Sequence, residues 1–131
     1  MKRQQGFTVF EVIIVMVFLS VGAWLFFSQK ATANSIIRDD ERKVAINAMY
    51  YNLEEVFYET NSYYPLTIDS KTLRAMDPAL FTDPDGYKLG EPTSNYHYEG
   101  KSCTTDNRCK EYRLSSDLEL EAEYVKTNRR D

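Results

Sequence analysis

The chain has 131 residues and a formal net charge of −4, with 43% hydrophobic and 27% charged residues. This length corresponds to one domain with an appendage, and the composition is ordinary for a folded protein. The acidic balance argues against a protein that binds nucleic acid over a dense cationic face, so we predict no specific nucleic-acid partner. One histidine, two cysteines and the lack of a glycine-rich phosphate loop argue against an enzyme, and we predict no catalytic residue.

The N-terminal region contains an apolar segment, residues 7–27, in which Glu11 is the one charged side chain. As a helix it would be roughly 31 Å long, which matches the core of a bilayer. It is apolar on every side, so we expect lipid or protein all around it. Lys2 and Arg3 precede it, which predicts a single-pass segment with its N-terminus in the cytoplasm and the rest of the chain translocated.

Two simple interpretations of this segment are a secretory signal peptide, cleaved near Ala31-Thr32-Ala33, and a plain signal anchor. Neither accounts for Glu11, because a lone acid in an apolar span is costly and usually has a partner. Cleavage after Gly6 would create one, since the new amine of Phe7 is cationic below a pKa of about 7.7–8.0. Glu11 lies one helical turn from that amine, and the amine of a neighbouring chain is an equal alternative.

The short basic leader and the sequence GFTVFEV at residues 6–12, followed by the long apolar helix, resemble the N-terminus of type IV pilins and pseudopilins. The resemblance implies that a prepilin peptidase cleaves after Gly6, that Phe7 is N-methylated, and that Glu11 guides assembly. It also implies other pilin subunits and the membrane assembly machinery as partners. The precursor would lie in the cytoplasmic membrane, and the assembled protein in a pilus at the cell surface.

The function implied by this resemblance is that of a structural subunit, not an enzyme. Such a subunit polymerises through its N-terminal helix into an extracellular filament used for attachment, twitching motility or DNA uptake. The alternatives are a pseudopilin of a type II secretion system and a monomeric membrane-anchored binding domain. We divide the chain into a leader, an assembly helix, an amphipathic helix and a globular head: residues 1–6, 7–27, 28–59 and 60–131.

The second half of the helix is expected to continue without interruption, because no proline occurs between Phe7 and Glu59. The charge run at residues 38–43, RDDERK, is expected to be solvated. Beyond it an apolar stripe at three- and four-residue steps is predicted to face a core. The stripe consists of Ile46, Met49, Leu53 and Val56–Phe57.

The head is predicted to contain a short helix and a few strands. The helix would be capped by Asp69 or Ser70 and would end before Pro78, and residues 81–90 would form a loop. Alternation around Tyr96 and Tyr98 predicts one strand. Alternation over residues 112–124 predicts a second, broken once, and residues 126–131 are expected to fray. The predicted fold class is α+β, a long helix packed on a small antiparallel sheet, as in the pilin fold.

Two groups of residues in the head are candidate sites. Cys103 and Cys109 are expected to form a disulfide, because the cysteine count is even and the head is predicted to be exported; their spacing does not favour zinc. The sequence DPDGY at residues 83–87, with the later Tyr-x-Tyr of residues 96–98, resembles a segment of major pseudopilins. That resemblance implies a calcium ion, for which the candidate ligands are Asp77, Asp83 and Asp85.

Overall fold

The computed structural model describes residues 8–130. The predicted cleavage site Gly6 and methylation site Phe7 lie outside the described residues. The chain divides into two compact units, one ending at Ser35 and the other beginning at Ile36. The second unit contains the head and the part of the helix on which it is built.

The helical region is continuous from Val9 to Asn61. It consists of α1, Val9–Tyr51, a π-helical stretch, Asn52–Phe57, and α2, Tyr58–Asn61. This confirms the single long helix that was expected from the absence of proline. The helix ends at Ser62, which has a left-handed backbone with φ 61° and donates its N–H to the Tyr58 carbonyl at 2.7 Å.

The π-helical stretch changes which side chains face the core. A π turn holds an extra residue relative to an α turn, so the buried row moves by one position. Leu53 and its neighbour Glu54 are both completely buried, whereas Val56 is 46% exposed and Phe57 is half-buried. The predicted core position of Val56 is therefore wrong, and the sequence carries no simple periodic signal for such a shift.

The sheet has four antiparallel strands arranged around a central one. The strands are β1, Tyr64–Pro65, β2, Tyr96–Cys103, β3, Arg108–Ser116, and β4, Tyr124–Thr127. The central strand is β3, and each of the other three strands pairs with it. The strand β4 pairs with the C-terminal half of β3. The predicted strand at Tyr96 is confirmed. Of the later predicted strand, residues 112–116 lie in β3, but the prediction is wrong for residues 117–123, which form a loop that joins β3 to its antiparallel neighbour β4.

The core lies between the helix from Ala45 onward and one face of this sheet, which confirms the predicted α+β architecture. Burying a large aliphatic side chain contributes roughly 1.5–3 kcal/mol, so the stripe on the helix supplies a substantial part of the stability of the head. The buried apolar residues are Ala45, Ile46, Met49, Leu53, Tyr64, Ile68, Leu73, Met76, Phe81, Tyr96, Cys109, Tyr112 and Leu114.

Two expectations for the head are wrong. The segment after Asp69 forms successive turns and not a helix, although Asp69 does cap its first turn by accepting from the Thr72 amide at 2.7 Å. A 3-10 helix, Pro78–Phe81, follows; proline thus begins a helix here, a position where its missing N–H has no consequence. The C-terminal segment is not frayed up to residue 130, because it contains β4 and contacts the helix.

Candidate functional site

The apolar half of α1 presents its side chains outward on every side. Phe18, Trp24 and Phe27 are 73%, 71% and 69% exposed. An 18-residue window of this helix has a mean hydropathy of 2.5, and none of that window is buried. By length and composition the helix is able to cross a membrane.

Glu11 lies in the first turn of this helix and has a local structural role. Thr8 immediately precedes the helix, and its Oγ1 accepts a hydrogen bond from the Glu11 amide at 3.3 Å. A threonine followed three residues later by glutamate is the capping-box pattern, and the helix dipole favours a carboxylate in the first turn. The letters TVFE at residues 8–11 carry this signal. The pairing of Glu11 with the amine of Phe7 stays a prediction, because Phe7 lies outside the described residues.

The charge run at residues 38–43 is not uniformly solvated, contrary to expectation. Asp39 and Arg42 are 3% and 1% exposed. The Arg42 Nη1 atom donates to Asp39 at 2.8 Å and to Glu119 at 2.9 Å, and its Nη2 donates to Asp85 at 2.7 Å. This buried arginine therefore links the helix to two loops of the head.

Asp39 completes this cluster by accepting the backbone amides of Glu119, at 2.9 Å, and Leu120, at 3.0 Å. Burial by itself would raise the pKa of Asp39, but these two amides and the Arg42 guanidinium together lower it. Burial acts to lower the pKa of Arg42, and its bonds to Glu119 and Asp39 raise it above the ordinary value. Both side chains are accordingly held in their charged forms.

A second buried carboxylate, Glu54, lies in the π-helical stretch and is completely buried. Its Oε1 accepts from the Tyr112 hydroxyl at 2.9 Å and from the Arg129 amide at 3.1 Å. The Tyr64 hydroxyl lies 3.1 Å from both carboxylate oxygens. Burial, followed by the contact with Glu54, raises the pKa of Tyr112. Glu54 thereby joins the helix to β1, β3 and the C-terminal segment.

The predicted calcium ligands have other partners. Asp83 is 3% exposed and accepts the amides of Asp85 and Tyr87 with one oxygen and that of Asn95 with the other. Asp85 pairs with Arg42, and Asp77 caps the 3-10 helix by accepting the Ala79 amide at 2.9 Å. Among residues 8–130 no group of three or more acidic, cysteine or histidine side chains is arranged to hold a metal ion. Calcium stays a prediction.

The two cysteines form the predicted disulfide. Cys103 and Cys109 are directly opposite each other on β2 and β3, with Cα atoms 3.9 Å apart. Gly100 leaves room for it, because a Cβ at that position would lie 2.7 Å from the Cys109 sulfur. His97 is exposed and contacts Asp117 at 3.0 Å.

The polar clusters of the head thus connect distant parts of its own chain.

Comparisons with protein-family models, with curated proteins and with solved structures find no significant match. Arg42 and Glu54 were not anticipated from the sequence. The i, i+3 spacing of Asp39 and Arg42 could have indicated an ion pair on the helix. The position of Glu54 next to the core residue Leu53 could have indicated that Glu54 is buried.

Proposed function

We propose that this protein is a pilin-like structural subunit that polymerises through its N-terminal helix into an extracellular filament. The observation that carries the proposal is a helix with apolar side chains on all sides and an acid, Glu11, in its first turn. Outside a bilayer such a helix needs apolar partners all around it, and parallel copies of the same helix supply them. Head-to-tail addition of identical subunits produces an open filament.

The predicted processing completes this mechanism. Removal of residues 1–6 by a prepilin peptidase exposes the amine of Phe7, which becomes a counter-ion for Glu11. An ion pair in apolar surroundings is far less costly than an unpaired carboxylate. Pairing between adjacent chains would then set the axial register of the growing filament, with the assembly machinery extracting each subunit from the membrane.

Intact-mass and N-terminal analysis of the mature protein tests the processing step. The expected chain begins at Phe7, carries one added methyl group and retains the Cys103–Cys109 disulfide. A mature chain that begins at Asn34, or that retains Met1, would contradict the proposal.

Two substitutions of Glu11 separate its charge from its capping role. Glu11→Ala removes both, whereas Glu11→Gln keeps a capping-box residue and removes the charge. We expect both variants to be processed and both to fail to form filaments, as judged by electron microscopy of sheared surface material. Normal filaments from Glu11→Gln would show that charge pairing does not set the register.

A pseudopilin of a type II secretion system is the second candidate, and the DPDGY sequence at residues 83–87 favours it. Pseudopilins do not normally extend far from the cell, so antibody labelling of surface filaments distinguishes the two. A head that binds calcium would melt at a lower temperature after chelation, and an unchanged melting temperature would remove this part of the argument. A monomeric anchored domain would retain its leader.

A further inference from the structure

The helix in the head presents an exposed stripe of mixed character, which we call the acidic stripe. It consists of Ile37, Asp40, Glu41 and Val44, whose i, i+3, i+4 and i+7 spacing places them on one helix face. Ile37 and Val44 are 56% and 60% exposed. Asp40 and Glu41 are exposed as well, and neither belongs to an ion pair among residues 8–130. The stripe therefore offers two carboxylates flanked by apolar side chains.

A groove of opposite charge lies between the π-helical stretch and the turns at residues 71–75, and we call it the basic groove. Its volume is about 440 Å³. Its apolar lining includes Val56, Phe57 and Leu73, and its cations are Lys71 and Arg74. Both cations are exposed, and within the described part of the chain neither forms an ion pair. The Arg74 Nε donates to the Lys71 carbonyl at 2.9 Å, which holds the two residues together.

We propose that the acidic stripe of one copy docks on the basic groove of another copy. This inference rests on the proposed function and names a contact within that filament. The two surfaces match in composition, because each carries two charges of one sign, without ion-pair partners, beside apolar side chains. Complementary charge of this kind sets register and excludes wrong partners. Elsewhere on the helix the charged residues Arg38, Asp39, Arg42 and Lys43 are engaged within the chain.

The placement of the two surfaces makes this contact heterologous. Val56 comes twelve residues after Val44, so the groove and the stripe lie at different heights along the helix. One copy can therefore use its stripe and its groove with two different neighbours. A heterologous contact that does not close into a ring extends indefinitely, as a filament requires.

The contact also involves a different neighbour from the Glu11 pairing. Glu41 and Phe57 are sixteen residues apart, so parallel copies joined in this way are offset by about 24 Å along the helix axis. Glu11 and Phe7 are only four residues apart in the sequence, so the pairing predicted between them corresponds to a much smaller offset. The two contacts thus tie each subunit to more than one other copy, and the head reinforces the register set in the apolar helix.

A charge-reversal cycle in the native host tests the contact. One double variant reverses the stripe, Asp40→Lys with Glu41→Lys, and another reverses the groove, Lys71→Glu with Arg74→Glu. Either one places like charges opposite each other, so we expect at least about a tenfold loss of sheared filament. The four changes together restore the opposite signs and should restore the yield. Two matched control variants change the net charge by the same amount at the disulfide hairpin and should leave the filament yield near normal. They are Asp106→Lys with Glu111→Lys, and Arg108→Glu with Lys110→Glu.

A chemical cross-link tests the unmodified protein. Carbodiimide joins a carboxylate to an amine in contact with it, so filaments grown from mixed isotopically labelled and unlabelled subunits should contain Lys71 joined to Asp40 or Glu41 of a different copy. Filaments that lack this inter-chain product, or reversed pairs that assemble like their controls, would overturn the stripe contact while leaving the proposed function intact. A wild-type protein that forms no filament at all would instead overturn the proposed function.

Discussion

The hydrogen bond between Tyr112 and Glu54 provides a sharp test of how the head is held to its helix. The bond is 2.9 Å long, fully buried, and joins residues 58 positions apart. Tyr112→Phe removes the hydroxyl and leaves Glu54 with its other donors, Tyr64 and the Arg129 amide. A hydrogen bond to a charged group contributes about 1.5–3 kcal/mol. For a unit of this size that loss lowers the melting temperature by roughly 6–24 °C.

The measurement is thermal unfolding of the full chain in detergent, followed by near-ultraviolet circular dichroism of the tyrosines. Tyr51→Phe is the matched control, because Tyr51 is 61% exposed and its change should stay within about 0.5 kcal/mol. Glu54→Ala should be more severe, at about 3–5 kcal/mol, because it leaves two buried hydroxyls without their acceptor and opens a cavity.

A double-mutant cycle then isolates the pair. In the Glu54→Gln background, the effect of Tyr112→Phe should shrink, since the charge that strengthens the bond is absent. If Tyr112→Phe shifted the melting temperature no more than Tyr51→Phe, Glu54 would not be the link between the helix and β3. The same conclusion would follow if the two substitutions were simply additive.

Three further predictions concern stability. Because folding lowers the pKa of Asp39, its carboxylate stabilises the folded state above the unfolded-state pKa of about 3.9, and this stabilisation is lost as the pH falls through the folded-state pKa. Unfolding measurements should therefore show that wild type loses more stability than Asp39→Asn between about pH 6 and about pH 3. Gly100→Ala should destabilise by about 1–3 kcal/mol in thermal melts, because its Cβ would overlap the Cys109 sulfur; an unchanged melt would contradict the packing. Deleting residues 129–131 should lower the melting temperature by several degrees, since Glu54 loses an amide donor; a truly frayed tail would show no effect.

The ion pairs at the C-terminus illustrate why that segment is ordered. Arg129 pairs with Glu55 and Arg130 with Glu59, and the Arg130 guanidinium also lies 5.3 Å from the centre of the Tyr58 ring. Exposed pairs of this kind contribute little individually. The Arg129 amide that reaches the buried carboxylate of Glu54 is the contact expected to matter.

Much of the architecture could be predicted from local pattern alone. The long helix follows from an unbroken stretch without proline, and the candidate membrane segment follows from a run of apolar residues. The strand at Tyr96 follows from alternation, and the disulfide from an even cysteine count. Each of these signals is contained in a few adjacent residues, so no knowledge of distant partners was needed.

The tertiary structure alone decided which charged residues are buried. Arg42 meets Asp85 and Glu119, which are 43 and 77 positions away in the sequence. Glu54 meets partners up to 75 positions away. A charged side chain enters a core only when such partners satisfy it, and periodicity along one helix contains no information about them. The sequence by itself therefore determined the long helix, the strand at Tyr96 and the disulfide. The folded head determined which charged residues became buried links between its segments.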